Sequence, residues 1–165
     1  MTPIRKALPL ILAVVACESA SALDLRGIAP GDPWDTTKLK RAFPELEFCG
    51  EDKCSGEARL GTNKVWIDIT PGGDPPMVKV VRWELYQREG FERLMQDLSK
   101  KFGKPSFQSV TPMENAFGAR FVDERYFWFT SKHEVICYLH WETQYWGICE
   151  LRPRSKDKPE APGPI

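Results

Sequence analysis

The 165 residues carry 23 basic and 23 acidic side chains. With no basic surplus to neutralise a phosphate backbone, the composition argues against a nucleic-acid partner. A hydrophobic share of 42%, with six Trp and nine Phe, is enough apolar matter for one β-rich core of single-domain size.

Arg5 and Lys6 form a short basic start, and residues 7–16 are an uncharged apolar run. Ala20-Ser21-Ala22 then supplies the small-x-small pattern that a signal peptidase cuts after. The apolar run is about half the length needed to span a bilayer, so no transmembrane helix is expected. Residues 1–22 are predicted to be a signal peptide and the protein to be periplasmic or secreted. Val14-Val15-Ala16-Cys17 also fits the box that precedes a lipidated cysteine. Lipidation at Cys17 would place the protein at the outer membrane, its acyl chains contributing about 0.8 kcal/mol per buried methylene. The soluble reading is preferred, because Ala-Ser-Ala lies directly before Leu23-Asp24-Leu25, where structured sequence begins.

Cys17 belongs to the leader under either cleavage, which leaves Cys49, Cys54, Cys137 and Cys149. An even number in an oxidising compartment reads as two disulfides. Cys49 and Cys54 bracket the turn-prone Gly50-Glu51-Asp52-Lys53. Cys137 and Cys149 lie symmetrically about Thr143, so a hairpin turning at Glu142-Thr143-Gln144 sets them opposite each other.

In chain order, Leu23 to Ile28 alternates apolar and polar and reads as a short strand. Asp32-Pro33 signals a helix start, and Trp34, Leu39, Ala42 and Phe43 form the apolar side of a short helix ended by Pro44. Glu57 to Leu60 and Val65 to Thr70 flank Gly61-Thr62-Asn63-Lys64 and read as a hairpin with Val65, Ile67 and Ile69 on one face. Residues 71–76 (PGGDPP) are a turn. Met77 to Tyr86 is the longest strand candidate, central in the sheet, with Lys79, Val81, Trp83 and Leu85 on one side and Val78, Val80, Arg82 and Glu84 on the other. Phe91, Leu94, Met95, Leu98 and Phe102 recur at helical spacing before Gly103 and Pro105. Residues 106–115 read as a loop. Strands follow at 117–122, 126–130, 133–141 and 145–151, with Asp123-Glu124-Arg125 as a turn, and the tail beyond Arg152 is expected to be disordered.

The predicted class is α+β: an antiparallel sheet of six or seven strands with two helices on one face, in the order helix, strands, helix, strands. The domain limits are 23–152, with 153–165 as tail.

No G-x-S-x-G, H-E-x-x-H or C-x-x-C occurs, so no enzyme and no cofactor is expected. His133, Cys137 and His140 invite a metal reading. On a strand, however, His140 points away from the other two, and Cys137 has a disulfide partner, so no metal site is predicted. The binding candidates are Glu51, Asp52 and Lys53 in the disulfide loop, and Trp141, Tyr145 and Trp146 on the last hairpin, where aromatic anchors suit an interface. The partner expected is another envelope or secreted protein, with the membrane involved only if Cys17 is acylated. An inhibitor of a secreted hydrolase, acting through the loop, is the first alternative. A hydrolase using surface carboxylates is the second.

Two stretches resemble known families. Gly27-Ile28-Ala29-Pro30-Gly31, followed by a short helix ending at Pro44, resembles the start of the small outer-membrane lipoprotein A (BamE-like) family, of the β-lactamase-inhibitor-protein fold group. That resemblance implies an exported, non-catalytic protein, with short helices on an antiparallel sheet, that acts by binding other proteins. Cys49-Gly50-Glu51-Asp52-Lys53-Cys54 is similar in spacing to the protruding loop of Ivy-type lysozyme inhibitors. The family's loop carries a histidine, and this one does not.

Overall fold

A computed structural model describes residues 23–114, 117–139 and 147–154. The expected leader 1–22 with Cys17, the residues His140, Trp141, Tyr145 and Trp146, the expected turn at 142–144 and residues 155–165 lie outside the described residues.

Leu25 and Ile28 exchange backbone hydrogen bonds at 2.9 and 3.0 Å around Arg26 (φ 52°) and Gly27 (φ 76°). Two consecutive positive φ values make a tight turn, so the alternation at 23–28 is a folded-back hook and not the expected strand. Asp32 does not cap the first helix. Its carbonyl accepts from Val78 N–H at 2.8 Å, and Pro33 bridges to Met77, which holds this stretch extended. The helix α1 (Thr36–Ala42) starts beyond that constraint, with Asp35 Oδ1 accepting from the Thr37 and Lys38 amides at 2.8 and 3.1 Å. α1 buries Leu39, and Phe43 follows it into the core.

Eight strands follow in one antiparallel sheet. β1 (Phe48–Cys49), β2 (Cys54–Leu60), β3 (Asn63–Gly72) and β4 (Met77–Leu85) precede the helix α2 (Arg88–Phe102). β5 (Phe107–Glu114), β6 (Arg120–Phe129), β7 (His133–Tyr138) and β8 (Gly147–Pro153) come after it. The spatial order is β1-β2-β3-β4-β8-β7-β6-β5. Two four-stranded meanders therefore meet along a seam between β4 and β8, running from Val81↔Leu151 to Leu85↔Gly147.

The α+β class, the antiparallel sheet and the two disulfides agree with the sequence reading. The strand count and the detailed order do not: residues 107–114, expected as loop, are β5, and 117–130, expected as two strands, holds the single strand β6.

One face of the sheet is the core. Val65, Ile67, Ile69, Val81, Trp83, Leu85, Val135, Cys149 and Leu151 lie there, under Leu39 and Phe43 from one end of the chain and Phe91, Leu94, Met95 and Leu98 from α2. Val78 joins this face although simple alternation assigns it to the other. β3 and β4 shift register there, Thr70 opposing Val80 and Pro71 opposing Val78, so Lys79 is an extra residue that inverts the pattern. The packing is close where side chains are missing: a Cβ on Gly56 would come within 2.9 Å of Leu46 Cα.

Candidate binding surface

Both helices bury their apolar sides on the core face, so the opposite sheet face carries no helix among the described residues. The antiparallel register arranges its side chains in rows. Asp68, Arg82, Glu150 and Ile136 stand opposite one another on β3, β4, β8 and β7. The same row continues through Phe127 to Phe107 at the sheet edge. The next row holds Trp66, Glu84, Ile148 and Tyr138.

The charges in these rows are fixed by neighbours. Lys53 Nζ lies 2.8 Å from Asp68 Oδ1, Arg82 Nε 2.9 Å from Glu84 Oε1, and Arg152 Nε 2.6 Å from Glu134 Oε1. Trp66 Nε1 donates to Asp68 Oδ1 at 3.1 Å, which fixes the indole as well. Glu134 is 2% exposed and Glu84 is also buried, although no helix covers them; the face buries its own side chains against one another. Burial raises the Glu84 carboxyl above its ordinary range, against the opposing effect of Arg82. Burial and then Glu150 do the same to the Tyr138 phenol. Exposed ion pairs stabilise a fold by only about 0–1 kcal/mol each. What this ladder sets is a fixed pattern of charge.

Toward β5 the face becomes aromatic. Phe107 and Phe127 have ring centroids 5.5 Å apart, Phe127 and Phe129 6.0 Å, and the Arg154 guanidinium lies 5.4 Å from the Phe129 centroid.

The disulfide loop stands at the other edge. Cys49 is bonded to Cys54 and Cys137 to Cys149. Within the first loop Gly50 N–H donates to the Lys53 carbonyl at 2.9 Å, and Trp34 Nε1 donates to the Gly50 carbonyl at 3.2 Å. Glu51 and Asp52 are exposed at its tip. Lys53 belongs with the sheet face through Asp68, so the three predicted loop residues divide between tip and face. His133 Nε2 lies 2.9 Å from the Pro30 carbonyl oxygen, while Cys137 is taken by its disulfide, so these two of the three metal candidates face different partners.

Sequence reasoning missed the rows Asp68-Arg82-Glu150 and Trp66-Glu84-Ile148-Tyr138. Each strand shows its own alternation, and Arg82 and Glu84 were correctly read as sharing a side. What sets them beside Asp68 and Glu150 is the register between strands, and across the β4–β8 seam nothing local in the sequence encodes it.

No protein-family model matches the chain, and no curated protein matches it. Among solved structures the chain is similar to a DUF4309 family protein (YjgB) from Bacillus subtilis subsp. subtilis str. 168, at 15% identity over 72% of this chain and 77% of that one. The TM-score is 0.39, a similarity too slight to carry an argument about fold or function.

Proposed function

We propose that this chain is an exported, non-enzymatic domain of the bacterial periplasm or envelope, and that it binds another protein through the helix-free face of its sheet. The observation that carries this reading is the face itself. Charges held in place by ion pairs, beside Trp66 and the Phe107–Phe127–Phe129 strip, form a rigid surface that can recognise a partner at little ordering cost. Two disulfides and the signal-like leader support export. Among the described residues no helix is long and apolar enough to cross a membrane. The resemblance of residues 27–44 to a family of exported protein binders points the same way.

The test is photo-crosslinking in intact cells, with a photoreactive side chain at position 66 on the face and, as control, at position 100 on α2. A discrete adduct with one other protein from position 66, absent from position 100, is the expected result. Adducts from neither position, or from both alike, would remove the face from consideration. Intact mass of the purified protein distinguishes Leu23 from an acylated Cys17 as first residue, and so a soluble from an anchored protein.

The second reading, inhibition of a secreted hydrolase, is favoured by the exposed Glu51 and Asp52 on a loop already held by a disulfide and two hydrogen bonds. On that reading, E51A with D52A abolishes inhibition and leaves thermal stability nearly unchanged.

A further inference from the structure

Residues 48–53 form a flap at the sheet edge, built from β1 and the loop that the first disulfide closes. Both feet of the flap are fixed. Leu46 is buried and Gly56 leaves no room for a Cβ against Glu47, while Cys54 is fully buried in the core. Between the feet little holds it. β1 pairs with β2 at two positions, Phe48↔Ser55 and Cys49↔Cys54. Beyond that ladder, the Trp34 indole N–H reaches the Gly50 carbonyl at 3.2 Å, and Lys53 Nζ reaches Asp68 Oδ1 at 2.8 Å. Phe48 is already 54% exposed, so lifting β1 uncovers little new apolar surface. A short edge element with so few buried contacts opens locally at low free energy. The disulfide is the main fastener.

The two cystines differ in reach. Cys54, Cys137 and Cys149 are 0% exposed, and Cys49 alone of the four is only partly buried. Cys137–Cys149 joins β7 to β8, flanked by β6 and β4, where exposing it means parting the sheet.

We propose that Cys49–Cys54 is a redox switch, opened by exchange with a dithiol, whose opening changes the charge of the helix-free face; its regulatory half rests on that face being the binding surface. One thiolate of the dithiol attacks Cys49 Sγ, and Cys54 leaves as a thiolate that takes up a proton. The second thiol, deprotonated, then attacks the dithiol's own sulfur in the mixed disulfide. Cys49 is released and protonated. Two electrons and two protons thus pass from the dithiol, which closes as its own disulfide. Lys53 precedes Cys54 and rides on the flap. Once the flap lifts, its ammonium leaves Asp68, and the row Asp68-Arg82-Glu150 loses a cation at its end. Asp68 also accepts from the Trp66 indole, so the change falls beside that ring.

Differential alkylation is the test. The oxidised protein is held in a dithiothreitol series, trapped with iodoacetamide and mapped by peptide mass. Cys49 and Cys54 should be alkylated at least tenfold faster than Cys137 and Cys149, while far-ultraviolet circular dichroism stays native. Acetic anhydride should then modify Lys53 at least threefold faster than in the oxidised protein. Both cystines opening together, or Cys137–Cys149 first, overturns the proposal, as does Lys53 reactivity indifferent to reduction. Photo-crosslinking from position 66 separates the switch from the face it acts on. An adduct whose yield changes at least threefold in the C49S and C54S double variant is expected. An unchanged yield overturns the switch and leaves the binding face standing. No adduct from the oxidised protein removes the face, and the proposal falls with it. Should the double variant fail to fold, K53M in the oxidised protein decides, since it uncovers Asp68 with the flap closed: an unchanged yield there overturns the proposal.

Discussion

Gly147 is the residue on which the β4–β8 seam and α2 press together. A Cβ at this position would overlap the Phe91 ring. Gly147→Ala is expected to cost about 1–3 kcal/mol by overpacking, read as a lower urea midpoint with an unchanged slope. Tyr126 makes a prediction in pH. Burial first, and then the hydrogen bond its hydroxyl donates to Glu124 Oε2 at 2.8 Å, push its phenol from 10.0 to about 12. Between those values the folded protein keeps a proton that the unfolded chain has lost. The stabilisation is complete below pH 10 and drains away as pH rises toward 12. Tyr126→Phe should flatten that alkaline decline in a denaturation series, and an unchanged slope would clear Tyr126 of it. At this scale the sequence was legible where partners are close along the chain. Cys49 and Cys54 could be paired by eye across four intervening residues. Glu134 could not be read as buried, because alternation marks only which side of the sheet it takes; its burial comes from neighbours on other strands, Arg152 among them.

Among the elements, α2 was the most legible, since its apolar residues repeat at one period and Gly103 ends it with φ 80°. Its C-terminus is also held from a distance: Trp128, 2% exposed, donates its indole N–H to the Gly103 carbonyl at 2.9 Å. Trp128→Phe keeps most of the apolar volume and strands that carbonyl, at an expected cost of about 1–3 kcal/mol. Faster hydrogen exchange should appear in the last turn of α2 before it appears in β3. The ion pair between β7 and β8 makes a sharper case. Glu134 is buried but Arg152 is partly exposed, so Arg152→Ala leaves a buried carboxylate without its partner and is expected to cost about 1–3 kcal/mol in thermal or chemical denaturation. β5 and β6 were the illegible elements, and for one reason. Among the described residues most of β5 and the first half of β6 have neither face against the core, so nothing there imposes alternation; Pro112 then reads as a loop residue, and Asp123-Glu124-Arg125 as a turn, although both sit in regular strand.

At the scale of the whole molecule, the two disulfides tie strands that are already neighbours, β1 to β2 and β7 to β8. Replacing Cys137 and Cys149 together by Ala should lower stability by about 2–4 kcal/mol without loss of the fold, and non-reducing peptide mapping of the unsubstituted protein should recover only the Cys49–Cys54 and Cys137–Cys149 pairs. The class of the molecule could be read from periodicity. The closure of its sheet could not, because the seam joins residues 81–85 to 147–151 across the whole second half of the chain. That seam has a consequence for how the molecule comes apart. Neither cystine crosses it, so a protease that nicked the backbone at Lys104 would sever the last covalent link between the two meanders. The fragments should still migrate as one particle in native buffer, held by the β4–β8 ladder and the shared core, and should separate only when denaturant melts that join.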